Sequence, residues 1–149
     1  MSMIAERFAP IPPERAALWT AFFSTGGPPL FPALVGLLLE EVRTDYARMR
    51  LPYRPQLNQP AGVLHGGALA TLIDTAVVPA IASIYETIPR MVTVTMTIDY
   101  FGALREEDAI AVGWVEKRGN RTVFCRVEVR SPKDVLVTRA SLVYNVSPT

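Results

Sequence analysis

A chain of 149 residues, half of them hydrophobic, fits one domain that buries roughly 70% of its unfolded surface. Fifteen basic against fourteen acidic side chains argue against a nucleic-acid binder, and the lone Cys125 and lone His65 leave no disulfide and no metal cluster to expect. No apolar run approaches the roughly 18 residues of a membrane span, and prolines and acids stand where a signal peptide is apolar, so a cytoplasmic protein is expected.

Near the N-terminus, "PPERAALWTAFFS" sets a proline and an acid before an apolar stretch, which predicts a helix start. "STGGPPLFP" breaks it. "LVGLLLEEV" and "YARMRLPY" predict a pair of strands joined through Arg43 to Asp45, and two prolines make "RPQLNQPAG" a loop. A largely apolar helix follows from about Gly67 to Thr87, with Pro89 beyond its end. It opens on His65, Gly66 and Gly67 and carries Asp74 in its middle. A buried carboxylate costs several kcal/mol unless something compensates it, so this acid calls for a reason. Pro79 removes one helical hydrogen bond and is expected to kink the axis.

After Pro89 the period drops to two. In "VTVTMTIDY", Val92, Val94, Met96, Ile98 and Tyr100 alternate with Thr93, Thr95, Thr97 and Asp99, which predicts a half-buried strand. "AIAVGWVEK" and "TVFCRVEVR" predict two more, joined by a Gly-Asn hairpin turn within "RGNR". "SPKD" turns the chain into a last strand, "VLVTRASLVYNV". Two strands, a long helix and four consecutive strands with short connections predict an α+β layout: an antiparallel meander with the helix on one face.

"NQPAGVLHGGALATLIDTA" followed by these strands resembles the hot-dog acyl-CoA thioesterases of the phenylacetate-pathway type. The resemblance covers about residues 34 to 146, dividing the chain into an N-terminal helical extension, 1–33, and a hot-dog domain, 34–149. It implies an antiparallel sheet of five to six strands wrapped around one long central helix. It also implies an acyl-CoA substrate, no cofactor, and a homo-oligomer: at least a dimer, and a dimer of dimers. The family motif is a glycine pair at the helix start, an acid eight residues on, an amide seven residues before, and a serine or threonine early in the next strand. These fall on Gly66 and Gly67, Asp74, Gln59 and Thr93. Asn58 takes the place of Gln59 only with an inserted residue.

Thioester hydrolysis needs a base or nucleophile, donors for the oxyanion, and a group to orient water. A helix start offers free N–H groups, and glycine lets a ligand approach them, so Gly66 and Gly67 are the candidate donors. Asp74 in apolar surroundings is a better base than a solvated aspartate, or attacks directly to form an anhydride. Gly66 and Asp74 are separated by roughly 12 Å of helical rise, whereas groups acting on one carbonyl lie within about 3 to 3.5 Å of it. If the chain is a thioesterase, the acid at each site therefore comes from a second subunit, the two helices lying antiparallel across an interface.

Other readings stay open at these residues. Asp74 also reads as a buried acid satisfied by Thr71 or Thr75, and Thr93, Thr95 and Thr97 as good strand formers. His65 is a base in a dehydratase of the same fold, or shapes the loop into the helix. Arg118 and Arg121 bind coenzyme A phosphates, or sit on a solvated hairpin tip. Cys125 alternates with Val123 and Val127 as core, and Trp19, Phe22 and Phe23 cap an acyl pocket or pack the first helix onto the sheet. The expected function is an acyl-CoA thioesterase. A non-catalytic acyl-CoA-binding module and a His65-based dehydratase are the alternatives, and the fold by itself does not separate them.

Overall fold

One helix organises the molecule, whose computed structural model describes residues 2–147. This helix, α4 (Gly66–Ala82), has 17 residues and spans about 25 Å. Leu69, Leu72, Ile73, Ala76, Val77, Ala80 and Ile81 are buried along it. Three short helices precede it: α1 (Ser2–Ala5), α2 (Pro13–Phe22) and α3 (Phe31–Val35). Six strands, β1 (Leu38–Arg43), β2 (Tyr46–Leu51), β3 (Arg90–Tyr100), β4 (Ala109–Arg118), β5 (Thr122–Arg130) and β6 (Leu136–Ser147), form one antiparallel sheet around it. This is the α+β hot-dog arrangement that the sequence led us to expect. Gly113 lets α4 lie close to β4, because a Cβ there would meet the Val77 Cγ1 at 3.1 Å. Truncating a side chain as buried as Leu72 to alanine costs about 2 to 5 kcal/mol.

The strand order, β1-β2-β4-β5-β6-β3, corrects the expected run of four consecutive neighbours. β4 pairs with β2, while β3 lies at the far edge beside β6. The connection 101–108 has the reach for this: it must cross three strand spacings, about 14 Å, and eight extended residues span up to about 26 Å.

The alternation of β3 is also broken. A register shift between Thr93 and Thr95 reverses the phase of the strand. Met96 and Ile98 pack against the core as expected, but before the shift Met91 does so instead of Val92. Val92 and Val94 are each 63% exposed.

Two boundaries differ as well. α4 stops at Ala82 rather than Thr87, because Ser83 Oγ donates to the Ala80 carbonyl at 2.7 Å and Arg118 donates to that of Ile81 at 2.8 Å. Pro79 is accommodated, buried, inside the helix. A strand was expected from residue 34, yet α3 holds Phe31–Val35 with a proline in its first turn. Gly36 closes it at φ +88°, a conformation that side chains resist. The division between residues 33 and 34 thus falls inside α3. Trp19 and Phe23 are buried and stacked, with ring centroids 6.1 Å apart, and dock α2 against β1. Among the described residues no helix is long and apolar enough to cross a membrane.

Candidate active site

The start of α4 is built by His65. Its backbone is extended, and its Nδ1 accepts from the Gly67 N–H at 2.8 Å, capping the first turn. A Cβ at Gly67 would lie 3.0 Å from that nitrogen, so the second glycine is what lets the ring in. Among the described residues the Gly66 N–H has no acceptor, as expected at the first helical position. The Gly66 carbonyl accepts from the Tyr100 hydroxyl at 2.9 Å, which ties the end of β3 to the helix start.

A hollow of about 260 Å³ adjoins this turn, lined among others by Asn58, His65, Gly67 and Thr71. Asn58 Nδ2 donates to the Tyr53 hydroxyl at 3.4 Å, and its Oδ1 is buried without a partner among the described residues. Gln59 does not line the hollow. Its Oε1 accepts from the Ala61 N–H at 2.9 Å, closing the turn before the helix. Spacing pointed to Gln59, but the geometry brings Asn58 to the helix start.

Asp74 lies half-buried two turns along α4. Its Oδ1 accepts from Thr93 Oγ1 at 2.8 Å and from the Tyr144 hydroxyl at 2.6 Å, while Oδ2 has no partner among the described residues. Tyr144 also lies 2.7 Å from the Asp74 carbonyl oxygen. The two donors come as a cross-strand pair, because Thr93 and Tyr144 face each other in the β3–β6 ladder. Burial pushes the Tyr144 hydroxyl well above its usual value, and the bond to Asp74 pushes the same way, so it remains protonated and donates. Thr71 and Thr75 do not satisfy the acid; their hydroxyls donate to the carbonyls of Gly67 and Thr71 at 3.0 and 2.8 Å.

The two arginines part company. Arg118 is not a solvated tip residue: it pairs with Asp45, bonds the Ala80 and Ile81 carbonyls, and sits 5.9 Å from the centroid of the Tyr85 ring. It is thus engaged in holding the end of α4, opposite the end that carries Gly66. Arg121 is exposed and donates to Ser147 Oγ at 3.3 Å. Neither converges with Asp74 within the chain. Cys125 is core, its thiol pushed up to about 12 by burial. Among the described residues no three of His, Cys, Asp and Glu gather to hold a metal ion.

Sequence reading missed Tyr144 and Tyr100 as parts of this region. The available cue for Tyr144 was its place among Ala140, Leu142 and Val146 on the inward face of β6, where a phenol needs a partner.

Comparison with known proteins gives the family. The pattern of the thioesterase superfamily matches residues 61–138, just over half of the chain. The medium/long-chain acyl-CoA thioesterase YigI of Escherichia coli K12 is 26% identical over 131 residues, covering 78% of this chain and 84% of its own length. The structure of conserved protein PA5202 from Pseudomonas aeruginosa superimposes with a TM-score of 0.73 at 31% identity, over 76% of this chain and 90% of the other. The E. coli PaaI protein, from the phenylacetic acid degradation operon, shares the fold with a TM-score of 0.72 at 20% identity, over 78% and 83%.

Proposed function

The chain belongs to the thioesterase superfamily, and from that premise we propose that it hydrolyses an acyl-CoA to the free acid and coenzyme A. The observation that carries the mechanism is the holding of Asp74: two hydroxyls fix Oδ1 and leave Oδ2 unengaged. In this reading Oδ2 takes a proton from a water whose oxygen attacks the thioester carbon. The carbonyl oxygen gains negative charge and is met by the Gly66 N–H at the positive end of α4. The C–S bond then breaks, and the departing thiolate takes up the proton. Direct attack by Asp74, with water cleaving the resulting anhydride, uses the same groups.

The site is shared between subunits in this proposal. Gly66 and Asp74 are held about 12 Å apart by one continuous helix, too far to act on one carbonyl. A second copy, its α4 antiparallel, brings the acid to the glycine. Two observations support this. β3 is an 11-residue edge strand with Val92 and Val94 exposed, a surface that proteins seldom leave uncovered. Asn58 Oδ1, beside the helix start, has no partner among the described residues and is free to take one from a ligand or second chain. No cofactor enters this reading, and action on acyl-CoA agrees with the cytoplasmic location expected from the sequence. The engagement of His65 Nδ1 with Gly67 counts against the dehydratase alternative.

The test is thiol release from a panel of acyl-CoAs by the wild type and by Asp74→Asn. The variant is expected to keep its circular dichroism and oligomeric state while turnover falls at least about a hundredfold. Near wild-type release by the variant would remove Asp74 from the chemistry. Saturable acyl-CoA binding without release by the wild type would leave the binding-module reading.

A further inference from the structure

We propose that a recess between α2 and the end of α4 receives the far end of the substrate's acyl chain, making a medium or long unbranched acyl group the preferred substrate. This rests on the acyl-CoA thioesterase reading. The recess has a volume of about 370 Å³, within the range of small-molecule sites. Leu18, Trp19 and Phe22 of α2 form one wall, and Ala82, Tyr85 and Ile88 the other. Its two charged lining residues are Arg15 and Glu86, and Arg15 is already engaged: its guanidinium donates to the Tyr85 carbonyl, tying the walls together. Leu18 is 72% exposed and Ile88 54%, so the apolar lining reaches the surface.

The recess is joined to the candidate active site by one face of α4. At 3.6 residues per turn, Gly67, Thr71, Asp74, Thr75, Val78 and Ala82 fall within an arc of about 100°. From Gly67 to Val78 these positions are exposed or half-buried in the single chain, and Ala82 lies on the wall of the recess. Two threonines would make the stripe polar, but both hydroxyls donate to the carbonyl four residues back, which leaves their methyl groups as the free contact surface. The stripe is therefore an apolar track from Asp74 past Val78 to Ala82.

Its length sets a requirement on the substrate. Eight residues of helix separate Asp74 from Ala82, about 12 Å of rise. An acyl group whose carbonyl is held at Asp74 reaches the recess only if its chain covers that distance. An acetyl or phenylacetyl group stops short and leaves the apolar walls unfilled. The deciding wall belongs to α2, outside the residues 61–138 that carry the family pattern, so chain-length preference resides in this chain's own N-terminal segment.

The experiment measures kcat/KM for acetyl-, phenylacetyl-, hexanoyl-, decanoyl- and palmitoyl-CoA with the full chain and two variants. Ala82→Phe fills the recess. Leu18→Glu places a charge at its mouth, on an exposed position that tolerates substitution. The wild type is expected to favour decanoyl-CoA or palmitoyl-CoA, and each folded variant to lower the decanoyl-to-hexanoyl ratio by at least about tenfold. A wild-type preference for acetyl- or phenylacetyl-CoA would overturn the proposal. So would an unchanged ratio in Leu18→Glu, including one accompanied by a changed oligomeric state, which would make the recess an interface. In each of those cases hydrolysis is still observed. Absence of thiol release from every acyl-CoA is the separate result that would sink the thioesterase reading itself.

Discussion

The Tyr144 hydroxyl lies 2.6 Å from Oδ1 of Asp74, a residue 70 positions earlier in the chain. Through this contact the last strand aims the acid of the central helix. A hydrogen bond to a charged group contributes about 1.5 to 3 kcal/mol, and here it also selects which carboxylate oxygen is left to react.

Tyr144→Phe removes the hydroxyl and keeps the ring in its buried place. Turnover is expected to fall about tenfold with little change in KM, because the substrate is not touched. A change in packing alone would lower the melting temperature and leave kcat of the folded protein unchanged. Thr93→Val should act in the same direction, and the double variant should show less than the sum of the two, since both donors serve one oxygen.

His65→Ala removes the cap on the first turn of α4. The melting temperature should fall by an amount corresponding to about 1 kcal/mol. Much of the thioesterase activity should remain, and the wild type should not hydrate enoyl-CoA. Hydratase activity in the wild type that disappears in His65→Ala would assign the chemistry to His65 instead.

Shared sites make a prediction that is independent of the acyl group. Asp74→Asn and Gly66→Val are each expected to be inactive, the second because its side chain covers the donor N–H beside Tyr100. Refolding an equal mixture makes half of the dimers mixed, each holding one site with both groups intact. Activity should then return to about a quarter of the wild-type value if the sites act independently. No recovery, with mixed dimers demonstrated by mass spectrometry, would place the whole site within one chain.

Acid stability gives a test away from the site. Glu128 is 12% exposed on the sheet and accepts from Arg130 at 2.9 Å and from Arg139 at 3.1 Å. Burial pushes its carboxyl up, but the bonds and charges of the two guanidinium groups together outweigh burial and hold it below the usual range. A depressed folded value means stabilisation that is complete above the unfolded value, about 4.3, and lost as pH falls through the folded one. Glu128→Gln should therefore melt lower than the wild type at pH 7, and the gap should close on acidification below about pH 4. A gap independent of pH would mean that the ion pairs do not set this shift.

The amino-acid sequence by itself determined what depends on neighbours along the chain. Gly66, Gly67 and Asp74 take their relative places from helical pitch, so their spacing and the distance argument were readable directly. β5 could be read residue by residue, but the expected Gly-Asn turn falls one residue later: the Gly119 N–H donates to the Thr122 carbonyl at 2.7 Å, so Asn120 and Arg121 make the turn. Tertiary structure alone decided what depends on residues remote in sequence. Nothing in "VTVTMTIDY" states that β3 lies beside β6, because backbone pairing carries little side-chain identity and the choice rests on which faces the whole sheet buries. That pairing, with its register shift, turns Thr93 toward Asp74 and leaves Val92 and Val94 exposed. It also sets Tyr144 opposite Thr93, giving the acid its second donor. Arg118 looked like a hairpin tip because its nearest neighbours are turn residues, but the sheet carries it to the end of α4, where the Ile81 carbonyl and Asp45 hold it. Local periodicity is a one-dimensional property of the chain; the partners of a polar group are settled only when burial brings distant segments together and every buried donor and acceptor must be matched.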